Sequence, residues 1–366
     1  MVKILHIIDY LSGGGKERRM IQLVKGLSLS GQYEQHILVL KNKVTYNEIY
    51  DSDAVIHIAE NTSNRYNEIK SRIEVIRKIK PDIVHSWIEG TTDMFLLPIL
   101  KFKYGFKYIA GFIANSNVVK KKSLHYLSCL FTYHYADAIV SNSQAGLFAK
   151  NAITNHSYVI YNGFDFNRFT EISKRIKRNE INVVTSYIAV MIARFEDAKD
   201  YESFVKLAKL SYEKQLDVTF LAIGQGPNLQ NYIDKYSADV PNLLFLGQRS
   251  DIEQILQIAD FSFLFTDSSK HAEGVSNSIM ESMAAGLPTI ATIGGGTQEI
   301  IDDSQCGFVI APGDYHKAFE LLVKLMEDKK LYTSISKASK QKIIDKFLLS
   351  NMIDEYESLY NTVLSK

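Results

Sequence analysis

The chain runs Glu273-Gly274-Val275-Ser276-Asn277-Ser278-Ile279-Met280-Glu281 and on through Ser282-Met283-Ala284-Ala285-Gly286-Leu287-Pro288, after which a short apolar run leads to Gly294-Gly295-Gly296. It reads as a glycine turn, a helix, a Gly-Leu-Pro exit and a strand, the unit from which parallel α/β sheets are built. Gly274 supplies a permissive turn, and Ser276 is placed to cap the first helical turn by accepting from its free N–H groups. Such a helix start combines unpaired donors with a partial positive charge, a setting suited to phosphate. Glu273 and Glu281 bracket the start and interior of the expected helix. Eight positions apart, they stand roughly 12 Å apart along the axis and about 80° around it. That span fits a ribose at one end and a sugar at the other. A lone pair of this kind is otherwise two solvated carboxylates, so the case depends on what flanks it.

Outward from this segment, short apolar runs alternate with longer helical patterns. Candidate strands are 4–8, 36–40, 54–58, 82–85, 108–112, 138–141 and 158–161 in the first half. In the second they are 188–192, 218–223, 243–246, 261–265, 289–291 and 308–310. Near-continuous apolar strands separated by helices indicate parallel sheets covered on both faces. Tyr201, Phe204, Val205 and Ala208 form an i, i+3, i+4, i+7 stripe, the period of a helix packed on such a sheet. The rhythm breaks between Phe166 and Asn182, where Lys174, Arg175, Lys177 and Arg178 stand among few apolar residues. The expected organisation is α/β with two Rossmann-like doubly wound domains facing across a central cleft. They are an N-terminal domain over 1–168, a linker over 169–182 and a C-terminal domain over 183–349, with a last helix at 350–366 able to pack back on the first domain.

Composition narrows the function. At 366 residues the chain exceeds a usual single core. A formal net charge of +1 excludes the basic excess of a nucleic-acid binder. Cys129 and Cys306 lack metal-ligand spacing and suggest a reducing compartment. The N-terminal Met1–Asp9 reads as a first strand, and no run approaches a membrane-spanning length. The expected location is cytoplasmic, with an option for the inner membrane face.

In doubly wound domains ligands collect beyond the carboxyl ends of strands, and the candidate motifs fall there. Asp9-Tyr10-Leu11-Ser12-Gly13-Gly14-Gly15-Lys16 lets backbone approach a ligand, but fits neither G-x-G-x-x-G nor a P-loop. Arg194 and Lys199 follow the strand 188–192 and offer two cations to a diphosphate. Lys199 near a helix start opposes the macrodipole unless an anion binds there. Gly224-Gln225-Gly226-Pro227 is a βα turn with proline opening a helix. The loop Gly247-Gln248-Arg249-Ser250 can present Arg249 or its backbone to a base edge. Asp51-Ser52-Asp53 has the letters of a metal-holding D-x-D but precedes a strand, and the histidines form no zinc cluster. His85 ends an apolar strand and reads as a core or rim histidine. Lys120-Lys121-Lys122 before Leu124, Tyr126, Leu127, Leu130, Phe131 and Tyr135, with Lys101-Phe102-Lys103-Tyr104 and Lys107 nearby, suggests an amphipathic helix. The region 101–135 can meet an anionic membrane surface or simply face the core.

Taken in order, these segments resemble the retaining glycosyltransferases of family 4, the "group 1" family with the GT-B fold. The resemblance covers nearly the whole chain. It includes the Gly13–Arg18 opening, Pro81–Trp87, Ala136–Ser143, Ile160–Asp165, Arg194 to Lys199, Gly224–Pro227 and the Glu273–Glu281 segment with its following glycines. It implies a hexose or N-acetylhexosamine moved from a nucleoside-diphosphate sugar, UDP ahead of GDP, to a glycan or lipid-linked sugar in surface polysaccharide biosynthesis. By the resemblance, Arg194 and Lys199 grip the diphosphate, aided by backbone around Gly274, Val275 and Ser276 and by Gly14 and Gly15. Glu281 hydrogen-bonds the ribose and Glu273 faces the transferred sugar. Neither metal nor cofactor is implied. A histidine common in the family after the strand 108–112 is absent, so on the acceptor side either Asn115 or Asn117 replaces it or nothing does. Lys199 is followed by Asp200 where the family often has glycine.

Overall fold

The computed structural model describes residues 1–12, 14–44, 47–59, 64–113, 115, 117–119, 122–169, 174–270 and 272–366. Gly13, Lys120 and Lys121, singled out above, lie outside the described residues. The chain divides into two compact units, 1–163 with 349–366, and 164–348.

The first unit holds a seven-stranded sheet. Its strands are β1 (Val2–Ile8), β2 (Tyr33–Val39), β3 (Val55–Ile58), β4 (Ile83–Ser86), β5 (Lys107–Ile113), β6 (Ala138–Ser141) and β7 (Ser157–Val159). The second unit holds β8 (Tyr187–Ile192), β9 (Val218–Ile223), β10 (Leu243–Gly247), β11 (Phe261–Leu264), β12 (Thr289–Thr292) and β13 (Phe308–Ile310). The orders are β3-β2-β1-β4-β5-β6-β7 and β10-β9-β8-β11-β12-β13, and every pairing is parallel. Both are doubly wound. Chain direction across the sheet reverses between β1 and β4 in one unit and between β8 and β11 in the other, and such switch points open a crevice at the strands' carboxyl ends.

Every strand expected from apolar runs is present, because strands buried on both faces must be apolar throughout. The helix Tyr201–Glu213 buries Tyr201, Phe204, Val205 and Ala208, as its period requires. Of the segment expected to be a linker, residues 174–182 pack with the second unit. A helix spans Lys174–Glu180, Lys177 is buried against Asp251, and Ile181 and Val183 enter the core of the second unit. Lys177 misled because Asp251, its partner, lies far along the chain. The helix Leu349–Leu364 inserts Met352, Tyr356, Leu359, Tyr360 and Val363 into the core of the first unit. There His85 pairs with the Tyr360 hydroxyl at 2.8 Å, and Trp87 donates to Nδ1 of His6 at 3.2 Å. His85 is thus a core residue, and burial holds its imidazole well below the ordinary histidine range.

Candidate functional site

In the second unit, the loops leaving β8 and β11 join at the switch point. Lys199 and Thr266 form an antiparallel bridge. The N–H of Asp200 donates to the Phe265 carbonyl at 3.0 Å, and that of Asp267 to the Ala198 carbonyl at 2.9 Å. Thr266 is tied to β12, its N–H donating to the Thr292 hydroxyl at 2.8 Å. Lys199 therefore projects from a braced backbone beside the helix it precedes, with Asp200 rather than Lys199 capping that helix through the Ser203 N–H.

The side chain of Lys199 reaches the carboxylate of Glu273 in an ion pair and lies 3.5 Å from the Thr266 hydroxyl. The ammonium is 12% exposed, and burial, opposed by the charge of Glu196, draws its pKa down to about 8. Arg194 differs. Its side chain is 72% exposed and stands 3.7 Å from Glu196 at the outer rim of the loop. One cation is held inside the site and the other is exposed at its edge.

Glu273 does not lie on a helix. It sits in an extended segment before the helix Asn277–Ala284, so the spacing drawn from helical geometry does not apply to the two carboxylates. What holds Glu273 is the glycine run: Gly296 donates to its carbonyl at 2.9 Å. A Cβ on Gly296 would come within 2.7 Å of the Gly274 backbone, so glycine alone permits this approach. Ser276 occupies the N-cap, but its hydroxyl makes no cap bond. It lies 3.2 Å from the Ser278 hydroxyl, and Gly274, Val275 and Ser276 lead directly into the helix start.

The turn after β9 packs directly on the turn after β8. Gly224 has φ +147°, and a Cβ there would fall on the Ala193 carbonyl oxygen. The Tyr201 hydroxyl, beneath, is 2.9 Å from the Ala193 carbonyl and 3.0 Å from that of Ile223, and its ring stacks on Phe195 at 3.7 Å. Gly224 is thereby fixed next to Arg194. Arg249, expected to face a base edge, is instead committed to Asp251 through two bonds of 2.8 and 2.7 Å. That loop can offer its backbone, not its guanidinium.

Glu281 lies on the buried face of its helix and carries a partner that the sequence reading missed. Arg168 donates to Oε1 of Glu281 at 3.0 Å and also pairs with Glu253. Burial opposes the charge of Arg168, and the two carboxylates, Glu281 foremost, outweigh it and raise its pKa. No local motif links positions 168 and 281, and only the fold joins them.

Other expected site residues belong to the first unit. Gly14 is the N-cap of the helix Gly15–Ser30, and the carboxyl of Glu17 folds back over it, its pKa raised by burial. The start of that helix is already faced by a carboxylate, which any approaching anion must displace. Asn115 and Asn117 form a local turn in which the Asn115 side chain accepts from the Asn117 N–H at 3.1 Å. Asp51 of the D-x-D ends a short 3-10 turn, 3.2 Å from Lys25. Among the described residues, no helix is long and apolar enough to cross a membrane.

Residues 173–342 match the family model described as glycosyl transferases group 1. The chain is 25% identical over 334 residues to the capsular polysaccharide biosynthesis glycosyltransferase CapM of Staphylococcus aureus, a match covering 82% of this chain and 83% of that one. It is 29% identical over 216 residues to the Escherichia coli UDP-Gal:alpha-D-GlcNAc-diphosphoundecaprenol alpha-1,3-galactosyltransferase, covering 55% of this chain and 53% of the relative. The chain thus spans about half the length of that curated relative. Among solved structures, Anabaena Alr3699/HepE in complex with UDP and glucose superposes with a TM-score of 0.83 at 18% identity, over 99% of this chain and 100% of that one. The fold is GT-B.

Proposed function

We propose that this chain, similar to the group 1 glycosyltransferases, moves a hexose or N-acetylhexosamine from a UDP-sugar, or a GDP-sugar, to a glycan or lipid-linked sugar. The transfer retains anomeric configuration, needs no metal, and serves surface polysaccharide biosynthesis at the inner face of the membrane. The observation that carries this reading is the meeting of Lys199 and Glu273 at the switch point of the second unit. A cation and a carboxylate, both largely shielded from water, stand where a doubly wound sheet collects its ligand. The relatives agree in chemistry: HepE was crystallised with UDP and glucose, and the E. coli enzyme is named for UDP-Gal.

With donor present, the Lys199 ammonium shifts from Glu273 toward the diphosphate, and Arg194 swings in from the rim. Both stabilise the charge that grows on the leaving nucleoside diphosphate. Backbone at Gly224, at Gly274–Ser276 and in the Arg249 loop completes the donor site. Glu281 accepts from the ribose hydroxyls, and Glu273, released from Lys199, accepts from the sugar. The bond from the anomeric carbon to phosphate oxygen breaks as the acceptor oxygen adds on the same face, and its proton passes to the departing phosphate. The acceptor side includes Asn115 and Asn117.

The test is a thermal-shift panel of UDP- and GDP-sugars on wild type and Lys199→Ala, followed by product analysis with and without acceptor. Ligand at 100 times its Kd stabilises by about 2.7 kcal/mol. A selective shift lost in Lys199→Ala supports the reading. The absence of any shift in folded protein sinks it, and an epimerised sugar or glycal formed without acceptor replaces transfer with epimerisation.

Membrane-surface contact is part of the proposal. Leu124, Leu127 and Leu130 are exposed along the helix Leu124–Tyr135, and Ile99 and Phe102 are exposed on the helix Thr91–Tyr104 that packs beside it. Lys103 and Lys122 lie in the same region. Apolar side chains flanked by lysines suit an anionic lipid surface. Co-sedimentation with anionic but not neutral vesicles, weakened by Leu127→Glu, is expected; equal recovery with both vesicle types refutes it.

A further inference from the structure

Arg168 lies outside the stretch that matches the family model, yet reaches into the helix that the model covers. The segment bearing it is held rigidly. The N–H of Phe164 donates to the Phe347 carbonyl at 2.7 Å, and Phe164 bridges Leu348 in parallel. Asp165 caps the 3-10 turn Phe166–Arg168 by accepting from the Asn167 N–H at 2.9 Å. The rings of Phe164, Phe166 and Phe169 cluster with centroids 5.2 to 6.3 Å apart, and the Arg168 guanidinium lies 5.2 Å over Phe164. An arginine stacked on an aromatic face and braced on both sides loses little freedom on holding a partner, so its donors are pre-aimed.

Those donors meet two carboxylates, Glu253 and Glu281. Glu253 would suffice as a structural counter-ion to Arg168. The second carboxylate belongs to the helix that starts at Ser276, next to the Lys199–Glu273 pair. A buried carboxylate without a cation nearby is costly to keep in place. Glu281 thus shares its guanidinium with Glu253, and an ionised carboxylate is an acceptor for hydroxyl donors.

We propose that Arg168 is the positioning residue of the nucleotide-ribose subsite, orienting Glu281 so that its carboxylate accepts from the ribose hydroxyls of the donor. This rests on the transferase reading above. Arg168 touches no substrate and acts through Glu281. The diphosphate and sugar parts of the site, built on Lys199 and Glu273, are independent of it.

The experiment measures, by titration calorimetry, the affinity of wild type, Arg168→Ala and Arg168→Gln for UDP, 2′-deoxy-UDP and 3′-deoxy-UDP, and for the guanosine series. Wild type is expected to prefer the ribose form over at least one deoxy form by roughly tenfold or more, the worth of a hydrogen bond to a charged group. In the variants that preference falls to within about threefold, with affinity for the deoxy nucleotide retained. A merely structural role would weaken all ligands together and leave the ratio unchanged, which overturns the proposal. Should Arg168→Ala fail to fold, Arg168→Gln, similar in length and still a donor, carries the same comparison. Wild type that binds UDP or GDP without discriminating against either deoxy form also overturns the proposal and leaves the transferase reading standing. Wild type that binds no nucleoside diphosphate overturns both.

Discussion

If Lys199 stabilises the leaving diphosphate, activity must follow its protonation. Burial brings its pKa down from the ordinary lysine value to about 8. With that value the free enzyme holds about 90% of Lys199 as ammonium at pH 7 and about 10% at pH 9, so kcat/KM should drop roughly tenfold between them. The profile of kcat/KM is the one to record, because it reports the free enzyme, whereas bound diphosphate pushes the ammonium's pKa back up. The stability effect has the opposite sign. A lysine whose pKa is lower when folded binds more proton when unfolded between pH 8 and the unfolded value. Its contribution to stability therefore rises with pH across that window. Unfolding of the site cannot mimic the activity loss on this account. Lys199→Arg keeps the charge throughout and should lose the alkaline limb, and Lys199→Ala should lower turnover by about 10²- to 10³-fold at pH 7. A wild-type profile flat to about pH 9.5, or an alkaline limb that survives in Lys199→Arg, refutes the assignment.

Arg194→Ala should lower turnover roughly 10²-fold while leaving the melting temperature unchanged, since the side chain is exposed; near-wild-type rates in both this variant and Lys199→Ala would remove the diphosphate assignment. Gly224→Ala forces a side chain into a φ of +147° and onto the Ala193 carbonyl, so urea titration should show a loss of about 3 kcal/mol or more; a loss under about 1 kcal/mol counts against the geometry. Asp93 is buried with Arg72 at 2.6 Å, and burial raises its pKa to about 6. This carboxyl binds more proton when folded, so its contribution to stability falls as pH rises from the ordinary aspartate value through 6. Asp93→Asn should cost about 3 kcal/mol at neutral pH by leaving the buried Arg72 charge to the carboxylate of Glu68, 3.9 Å away; equal urea midpoints for the two proteins would contradict this. Removing residues 349–366 strips Met352, Tyr356, Leu359, Tyr360 and Val363 from the first unit. At about 1.5–3 kcal/mol for each buried side chain, that approaches or exceeds the whole stability of a domain. The unfolding step of the first unit, followed through Trp87 in its core, should be lost, and a native-like Trp87 transition in the truncated chain would refute the packing argument.

The errors in reading the sequence share a cause. Glu273 was placed on a helix because Gly274 and Ser276 look like a helix entrance, whereas the backbone bond from Gly296 holds Glu273 in an extended segment. Arg249 looked available to a ligand, although Asp251 two residues later was already a visible partner. Lys177 looked like part of a linker because Asp251, its counter-ion, lies far along the chain. In each case the local pattern was sound and a distant or overlooked partner decided the outcome.

By itself the amino-acid sequence determined the parallel strands and the doubly wound class, because these follow from local signals: apolar runs for strands, a helical period at Tyr201–Ala208, and glycines at βα turns. Tertiary structure alone decided which charges meet. Lys199 reaches Glu273 because the loops after β8 and β11 zip together at the switch point, and Arg168 reaches Glu281 because aromatic packing brings a preceding segment under that helix. Charge pairing depends on distances of a few ångströms between residues far apart in the chain, and no local periodicity encodes them.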